Sequence, residues 1–480
     1  MHTADAPSFA APLMLLLDLI FLVGALSLAA WRLLAPDTRA APRAAAAALV
    51  ALLAAAQWAR YGFTWQSVPA YPLLALSVLP ALRTSATLRQ LGRVGFAGLA
   101  AVSLGVWILP AVPSIPAPDG PYAVGTEIYR WTDTTRDEPH TADTTDHRSV
   151  IAQVWYPTSL RSASSSNARV PYIDGTDRLP AEVSGVPSFL LRRYHQIDSH
   201  AGASAPLGRG ARAWPVVIFS PGYGAARAMN TGLATQLVTR GFVVVVLDHP
   251  FESGVTQLAD GSVVGTQENF PRGPNDRRDY MEEQQRVRTA DIRFVIDQLA
   301  RPAVLSETLR GGVTSGVIDV SKVAVIGHSF GGAVSAMVMS EDARVVAAAN
   351  IDGTPYGDLP DRILTQPFLL LQSDLDEAPH GEIFHAGNGK LLANMTAPGF
   401  RYELKRANHY SFSDALFYVA PPGRWLLAQM IGGGRGPAET HRATADLLTA
   451  FLTGPLKGER VDVAATAARI PDLVGGPVAR

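Results

Sequence analysis

The chain contains no cysteine among its 480 residues. This absence excludes disulfide bonds, catalytic thiolates and metal sites built from cysteine. Charge of either sign is also sparse, because charged residues make up 17% of the chain and the formal net charge is −1. A near-neutral chain lacks the broad basic surface that binds nucleic acid. We therefore expect no nucleic-acid partner.

Acidic side chains are especially scarce in the first 113 residues, which contain only Asp5, Asp18 and Asp37 against seven arginines. The apolar residues of this region form four stretches, at positions 12–31, 44–59, 68–82 and 94–112. A helix that spans a membrane needs about 20 mostly apolar residues. The pattern predicts an all-α membrane region of about four helices over residues 1–113. The third stretch is the weakest, because it contains three prolines.

The arginines are distributed unevenly between these stretches. Six lie in the loops after the first and third stretches, whereas only Arg60 lies in the loop after the second. Loops rich in arginine remain in the cytoplasm. We therefore expect an integral protein of a bacterial inner membrane or a plasma membrane. Its N-terminus and everything after residue 113 would lie on the extracytoplasmic side.

A proline-rich segment at residues 114–124 predicts a semi-rigid linker. From residue 125 to 480, short apolar runs alternate with helical patterns. Continuous apolar runs, such as those at 216–219 and 242–247, are typical of parallel strands that are covered on both faces. The expected fold of residues 125–480 is α/β, with a doubly wound, mostly parallel sheet. In addition, Asp260-Gly261 between two β-prone segments predicts a hairpin.

One of the apolar runs leads directly into the pattern G-x-S-x-G, formed by Gly327, Ser329 and Gly331. This pattern is typical of the nucleophile elbow of α/β-hydrolases, a tight strand-to-helix turn that presents a serine. The two glycines leave space where a Cβ would collide. The helix that follows would offer N–H groups to a developing oxyanion. We therefore expect Ser329 to be the nucleophile.

In this fold the acid and the base follow the serine in the order Ser, Asp, His. Of the histidines after the elbow, His409 follows a late strand, where the base is expected. The other three are interpreted as surface residues, namely His380, His385 and His441. Two places compete for the acid: Asp352 follows the strand after the elbow helix, and Asp374 and Asp376 follow the next strand. Spacing alone does not separate them.

An oxyanion hole needs two backbone N–H donors. The residue after the nucleophile, Phe330, is expected to supply one. Tyr223 is expected to supply the other, because it lies in Ser-Pro-Gly-Tyr-Gly directly after the apolar run at 216–219. This machinery implies no metal and no cofactor.

Further segments resemble the platelet-activating-factor acetylhydrolase (type II) family. The matching residues lie at 154–157, 220–224, 240–244, 248–249, 327–332, 349–353 and 366–369. The resemblance covers about residues 145–420 and implies that Asp352 is the acid, with Asp374 as the alternative, and that the base lies near His409. It also implies hydrolysis of short or truncated acyl esters of phospholipids through an acyl-enzyme.

The chain departs from the family at two points. The helical region at 1–113 has no counterpart in the animal enzymes of the family, and Pro221-Gly222 replaces the family's usual His-Gly. Asp374 also resembles the acid of cutinase-like polyesterases. The alternatives to the expected activity are therefore a general carboxylesterase or polyester hydrolase, and a hydrolase-fold binding or sensor module on a membrane anchor. The expected partners are an ester or phospholipid substrate and the membrane, and the oligomeric state stays open.

Overall fold

The computed structural model describes residues 10–35, 40–78, 86–159, 170–183, 185–210, 212–267, 274–306, 309 and 317–479. The chain divides into two compact units. The first comprises Met1–Pro113 with Val419–Gly423, and the second comprises Ser114–Tyr418 with Arg424–Arg480.

The first unit is helical. Its described helices are α1 (Ala10–Leu34), α2 (Ala40–Tyr61), α3 (Ala70–Val78) and α4 (Ala86–Gly105). Three segments among the described residues are long and apolar enough to cross a membrane, namely Leu16–Leu34, Ala41–Arg60 and Gln90–Ile108. They coincide with the first, second and fourth predicted spans.

The third predicted span, at residues 68–82, coincides with α3, which has nine residues. At about 1.5 Å per residue such a helix is shorter than the roughly 30 Å of a hydrocarbon core. The remainder of this predicted span lies outside the described residues. The described residues therefore supply three candidate spans, whereas the arginine alternation requires four.

The second unit is built on a large sheet. In chain order its strands are β1 (Ala123–Asp137), β2 (His147–Thr158), β3 (Glu182–Val183), β4 (Val186–Pro187), β5 (Ala201–Ala203), β6 (Trp214–Ser220), β7 (Val243–Asp248), β8 (Thr256–Gln257), β9 (Val263–Val264), β10 (Ile318–His328), β11 (Val345–Ile351), β12 (Phe368–Gln372), β13 (Gly399–Leu404) and β14 (Leu473–Pro477). Ten of them form one sheet in the order β14-β13-β12-β11-β10-β6-β7-β2-β1-β5.

The six strands from β7 to β13 in this order are parallel to one another. Antiparallel strands flank them, with β2 and β1 at one end and β14 at the other. The prediction of a doubly wound, mostly parallel sheet is confirmed. The small β8–β9 pair is antiparallel and encloses the Asp260-Gly261 turn, which confirms the predicted hairpin.

Helices cover both faces of the sheet. The helices of this unit are α5 (Thr231–Thr239), α6 (Pro274–Leu299), α7 (Phe330–Glu341), α8 (Glu382–Ala393), α9 (Pro421–Ile431), α10 (Pro437–Lys457) and α11 (Val463–Ala467). Alternate residues of each strand point to opposite faces. Val216 and Ile218 accordingly pack with α6 and α7, whereas Val217 and Phe219 pack with α5 and α10. Burial on both faces explains why the central strands are continuous apolar runs.

The proline-rich segment before β1 is attached to the second unit by hydrogen bonds. The carbonyl oxygen of Ile115 lies 2.8 Å from Nε2 of His200, and the N–H of Gly120 donates to Oγ1 of Thr239 at 3.2 Å. Ile115 is also buried. This part of the predicted linker therefore packs as a portion of the second unit.

Candidate active site

The elements that carry the candidate residues meet at one edge of the sheet. Ser329 follows β10, Asp352 follows β11, and the loop that contains Tyr223 follows β6. His409 lies beyond β13, at the start of the short helical turn His409–Phe412. Because these strands are parallel, their carboxyl ends lie side by side, which is where open α/β sheets carry their sites.

Ser329 has the strained backbone of a nucleophile elbow, with φ 55° and ψ −127°. Residues other than glycine rarely adopt this region. Its own N–H donates to the carbonyl of Ile351 at 2.7 Å, which ties the turn to the neighbouring strand. A Cβ on Gly331 would lie 2.0 Å from the carbonyl oxygen of Ser220. Glycine is therefore required at that position, as the sequence pattern predicts.

The structure brings Ser329, His409 and Asp352 together. Nε2 of His409 lies 2.9 Å from Oγ of Ser329, and Nδ1 of His409 lies 2.7 Å from Oδ2 of Asp352. The serine hydroxyl can donate to Nε2 while Nδ1–H donates to the carboxylate. This is the geometry in which an imidazole takes a proton from a serine and a carboxylate stabilises the resulting cation.

The carboxylate of Asp352 is buried, and both of its oxygens accept hydrogen bonds. Oδ1 accepts the backbone N–H of Ser373 at 2.7 Å and lies 2.8 Å from Nε2 of His380. Burial alone would raise the pKa of this carboxyl, but the hydrogen bonds from His380 and His409 outweigh it and hold the pKa well below its usual range. Asp352 therefore remains ionised at neutral pH.

A second histidine, His328, contacts the backbone of the base His409. Its Nε2 lies 2.9 Å from the carbonyl oxygen of His409, and the two rings are 4.7 Å apart. Burial, together with the nearby His409, lowers the pKa of His328 to about 3. A neutral ring that donates Nε2–H to this carbonyl holds the His409 backbone without adding charge to the site.

The loop after β6 lies against the nucleophile. A Cβ on Gly222 would lie 3.2 Å from Cβ of Ser329. The guanidinium of Arg288 donates to the carbonyl of Pro221 at 2.6 Å, and the N–H of Ala225 donates to the carbonyl of Gly222 at 3.2 Å. These bonds hold both peptide planes that precede Tyr223.

Phe330 and Tyr223 lie on the two segments that meet at this point. Phe330 is the first residue of α7, where backbone N–H groups have no acceptor within the helix. Its ring packs edge-on against the ring of Tyr223, at 6.2 Å between centroids. The helix start and the β6 loop are therefore in contact.

A second Ser-His-Asp constellation lies beneath this loop. Oγ of Ser220 lies 3.0 Å from Nε2 of His249, whose Nδ1 lies 2.8 Å from Oδ2 of Asp291. All three side chains are fully buried. Burial, reinforced by the positive charge of Arg288, lowers the pKa of His249 to about 4. A neutral, inaccessible histidine here anchors the first residue of the loop and has no route to a substrate.

A cavity of about 500 Å³ opens in front of Ser329. Polar side chains line one part of it, including Thr354 and Glu377, and Met430 and Ile431 contribute apolar surface. Its volume lies within the range of small-molecule binding sites.

Comparison with known proteins identifies the family. Residues 111–378 match the sequence model described as platelet-activating factor acetylhydrolase, isoform II. The chain belongs to this family.

Two curated relatives carry related names. A probable 1-alkyl-2-acetylglycerophosphocholine esterase of Arthroderma benhamiae is 25% identical over 293 residues, which cover 55% of this chain and 66% of the relative. The platelet-activating factor acetylhydrolase of Cavia porcellus is 26% identical over 257 residues, which cover 49% of this chain and 57% of the relative. The chain thus spans less than two thirds of the length of these relatives.

Among solved structures, a ferulic acid esterase from Streptomyces cinnamoneus aligns with a TM-score of 0.60 and 24% identity. The alignment covers 76% of this chain and 99% of that protein. At this identity the likeness establishes the α/β-hydrolase fold of the second unit.

The family match extends over Ser329 and Asp352 but ends at residue 378, before His409. Almost all of the first unit also lies outside it. The placement of His409 therefore depends on the geometry of this chain, in which Asn408 forms a capping box with Ser411 at the start of the His409 turn.

Asp374, the alternative acid, makes different contacts. Its Oδ1 lies 3.1 Å from Nζ of Lys405, and its Oδ2 accepts the backbone N–H of Arg406 at 2.7 Å. Asp376 and Glu403 complete an acidic cluster, and Nζ of Lys405 lies 2.7 Å from each of their carboxylates. A single ammonium group of the protein therefore contacts all three carboxylates of this cluster.

The interpretation of the other three histidines as surface residues is correct for His385, which is exposed on α8, and wrong for the other two. His441 is 2% exposed, and its ring packs on Phe417 at 5.2 Å. His380 bonds to Asp352, as described above. This second contact of Asp352 could not be predicted from the sequence, because the position of His380 depends on where α8 begins.

Proposed function

We propose that the chain is a serine carboxylic-ester hydrolase. The observation that carries this proposal is the continuous hydrogen-bond path from Ser329 through His409 to Asp352, with distances of 2.9 Å and 2.7 Å. The exposed mouth of the cavity in front of the serine gives an ester access to this path. A binding or sensor module would have no use for the strained serine or for the ionised, fully bonded carboxylate.

The proposed mechanism proceeds in two halves. Ser329 attacks the ester carbonyl while His409 takes its proton, and Asp352 stabilises the imidazolium. The N–H groups of Phe330 and Tyr223 bind the oxyanion of the tetrahedral intermediate. His409 then protonates the leaving alcohol. Water, activated by the same histidine, hydrolyses the acyl-enzyme and regenerates the serine.

We further propose that the substrates are short or truncated acyl esters of phospholipids. Membership of the acetylhydrolase family supports this class, as do the names of the two relatives. The cavity is also consistent with it, since Met430 and Ile431 give an apolar surface beside the nucleophile.

A panel of esters tests the substrate class. We expect acetyl and butyryl phospholipids, and phospholipids with oxidatively truncated chains, to be cleaved with kcat/KM at least about 10-fold above long-acyl phospholipids, since each excluded methylene costs on the order of 1 kcal/mol. Turnover would be measured by fatty-acid release, with Ser329→Ala as the blank. Equal rates on simple alkyl esters or polyesters would instead indicate a general carboxylesterase or a polyester hydrolase.

We propose that residues 1–113 form a membrane anchor, that residues from 114 onwards lead into the hydrolase domain at 125–480, and that this domain lies on the extracytoplasmic side. The three candidate spans support the anchor. The six arginines after the first and third stretches support the orientation. This orientation requires residues 68–82 to cross the membrane as well.

Reporter fusions test the orientation. A phosphatase reporter that is active only outside the cytoplasm should be active after residue 120 and inactive after residue 38, where both counts of spans place the chain in the cytoplasm. An inactive reporter after residue 120, with an active one after residue 62, would mean three spans and a cytoplasmic hydrolase domain.

A further inference from the structure

Asp352 binds two histidines, one with each carboxylate oxygen. Oδ2 lies 2.7 Å from Nδ1 of His409, and Oδ1 lies 2.8 Å from Nε2 of His380. The same Nε2 lies 3.1 Å from Oγ of Ser373. The mechanism proposed above uses only the first histidine. That mechanism therefore leaves the contact of His380 unexplained.

The ring of His380 is held in place by packing. It stacks on the ring of Phe384 at 3.9 Å between centroids, with 15° between the planes. Phe384 is itself buried in the first turn of α8. The side chain of His380 is 16% exposed and contributes to the wall of the cavity. The imidazole can therefore neither swing away from the carboxylate nor be replaced readily by water.

The direction of the hydrogen bond follows from the charge of Asp352. An ionised carboxylate only accepts hydrogen bonds, so Nε2 of His380 carries the proton and donates it. Asp352 also has a positive φ of 61°, which is unusual for a residue other than glycine. Oδ1 accepts hydrogen bonds from His380 and from the N–H of Ser373, and these two contacts fix the orientation of the carboxylate.

We infer that His380 is a positioning residue of the proposed esterase. It holds Oδ1 of Asp352 so that Oδ2 faces Nδ1 of His409, an inference that rests on the proposed function. The hydrogen bond from His380 also withdraws negative charge from the carboxylate. Asp352 therefore favours the imidazolium form of His409 less strongly. His380 therefore acts on orientation and on the basicity of His409 together.

The other titratable groups around this pair are His328 beneath His409, Glu377 and Tyr410 on the cavity wall, and His385 on the far side of Phe384. None of them bonds to Asp352 among the described residues. They remain unchanged when His380 is replaced, so a change in the pH profile would report on the His380–Asp352 bond.

The test compares His380→Ala and His380→Gln with His385→Ala, a matched control five residues further along the chain in the first turn of α8. For His380→Ala we expect kcat to fall about 10-fold with KM changed less than about twofold, the loss that accompanies one hydrogen bond to a charged group. The acid limb of kcat/KM should move to higher pH, because the carboxylate then favours the imidazolium more strongly. Glutamine can donate from a similar position and should restore part of kcat.

Phosphonylation of Ser329 by a fluorophosphonate probe provides a second readout that does not depend on the substrate. Its rate should fall in parallel with kcat in His380→Ala, whereas thermal unfolding should stay close to that of His385→Ala. A raised KM with unchanged kcat and labelling rate would mean that His380 contacts substrate, and would overturn the inference alone. Equal behaviour of His380→Ala and His385→Ala would overturn it too. A wild-type protein that neither labels nor turns over would overturn the proposed function together with the inference.

Discussion

Ser329→Ala and His409→Ala should each lower kcat by roughly 10⁶-fold, leaving only the acceleration due to the oxyanion hole and substrate binding. The reason is geometric: each side chain occupies one end of the 2.9 Å contact through which the proton must pass. Neither substitution should unfold the protein, because His409 is partly exposed and alanine fits the turn of the serine. Initial rates on an acetyl ester, expressed per mole of folded protein, measure the effect.

His385→Ala is the control for the base, since this histidine is exposed on α8 and lies outside the hydrogen-bond path. Ser220→Ala is the control for the nucleophile. Labelling that survives in Ser329→Ala but disappears in Ser220→Ala would assign the reaction to the buried Ser220–His249–Asp291 constellation. That result would contradict the proposed site.

Asp352→Asn should lower kcat by about 10⁴-fold, the loss seen when the orienting carboxylate of a serine protease becomes an amide and the histidine takes the wrong tautomer. The substitution preserves size, and the amide oxygen can still accept the N–H of Ser373. The loss should therefore appear in kcat with little change in the unfolding temperature.

Asp374→Asn is the matched comparison, because this aspartate follows the next strand along the sheet. Its amide oxygen can still accept the Arg406 N–H, and the lost pairing with Lys405 is screened by solvent and contributes little to stability. We expect kcat to change by less than about tenfold. An inactive Asp374→Asn beside an active Asp352→Asn would move the enzyme towards the polyesterase arrangement.

Much of the fold could be read from the sequence because its signals are local. The central strands are buried on both faces, so each appears as an uninterrupted apolar run, and the elbow needs glycine at defined positions beside Ser329. Local sequence could not decide whether Asp352 or Asp374 is the acid. Both follow neighbouring strands of one sheet, and only the side-chain directions, together with the family resemblance, distinguish them.

The parts that were not predicted depend on contacts distant in sequence. Gly387 and Gly389 disfavour a helix at this position, yet α8 begins at Glu382 and contains both. Packing explains one of these glycines, since a Cβ on Gly387 would lie 2.7 Å from the ring of Pro355. The strand β14 was also missed, because its sequence Leu-Val-Gly-Gly-Pro has little β propensity and gains its order by pairing with β13.

The close approach of Gly331 to the carbonyl of Ser220 holds together the two segments that carry the proposed oxyanion donors. The segments that carry Phe330 and Tyr223 continue directly from the hydrogen-bonded strands β10 and β6. They cannot separate without breaking that pairing. The two N–H groups are therefore oriented when the sheet forms, and they do not need to be reoriented in each catalytic cycle. An ester would therefore meet donors that the sheet has already oriented.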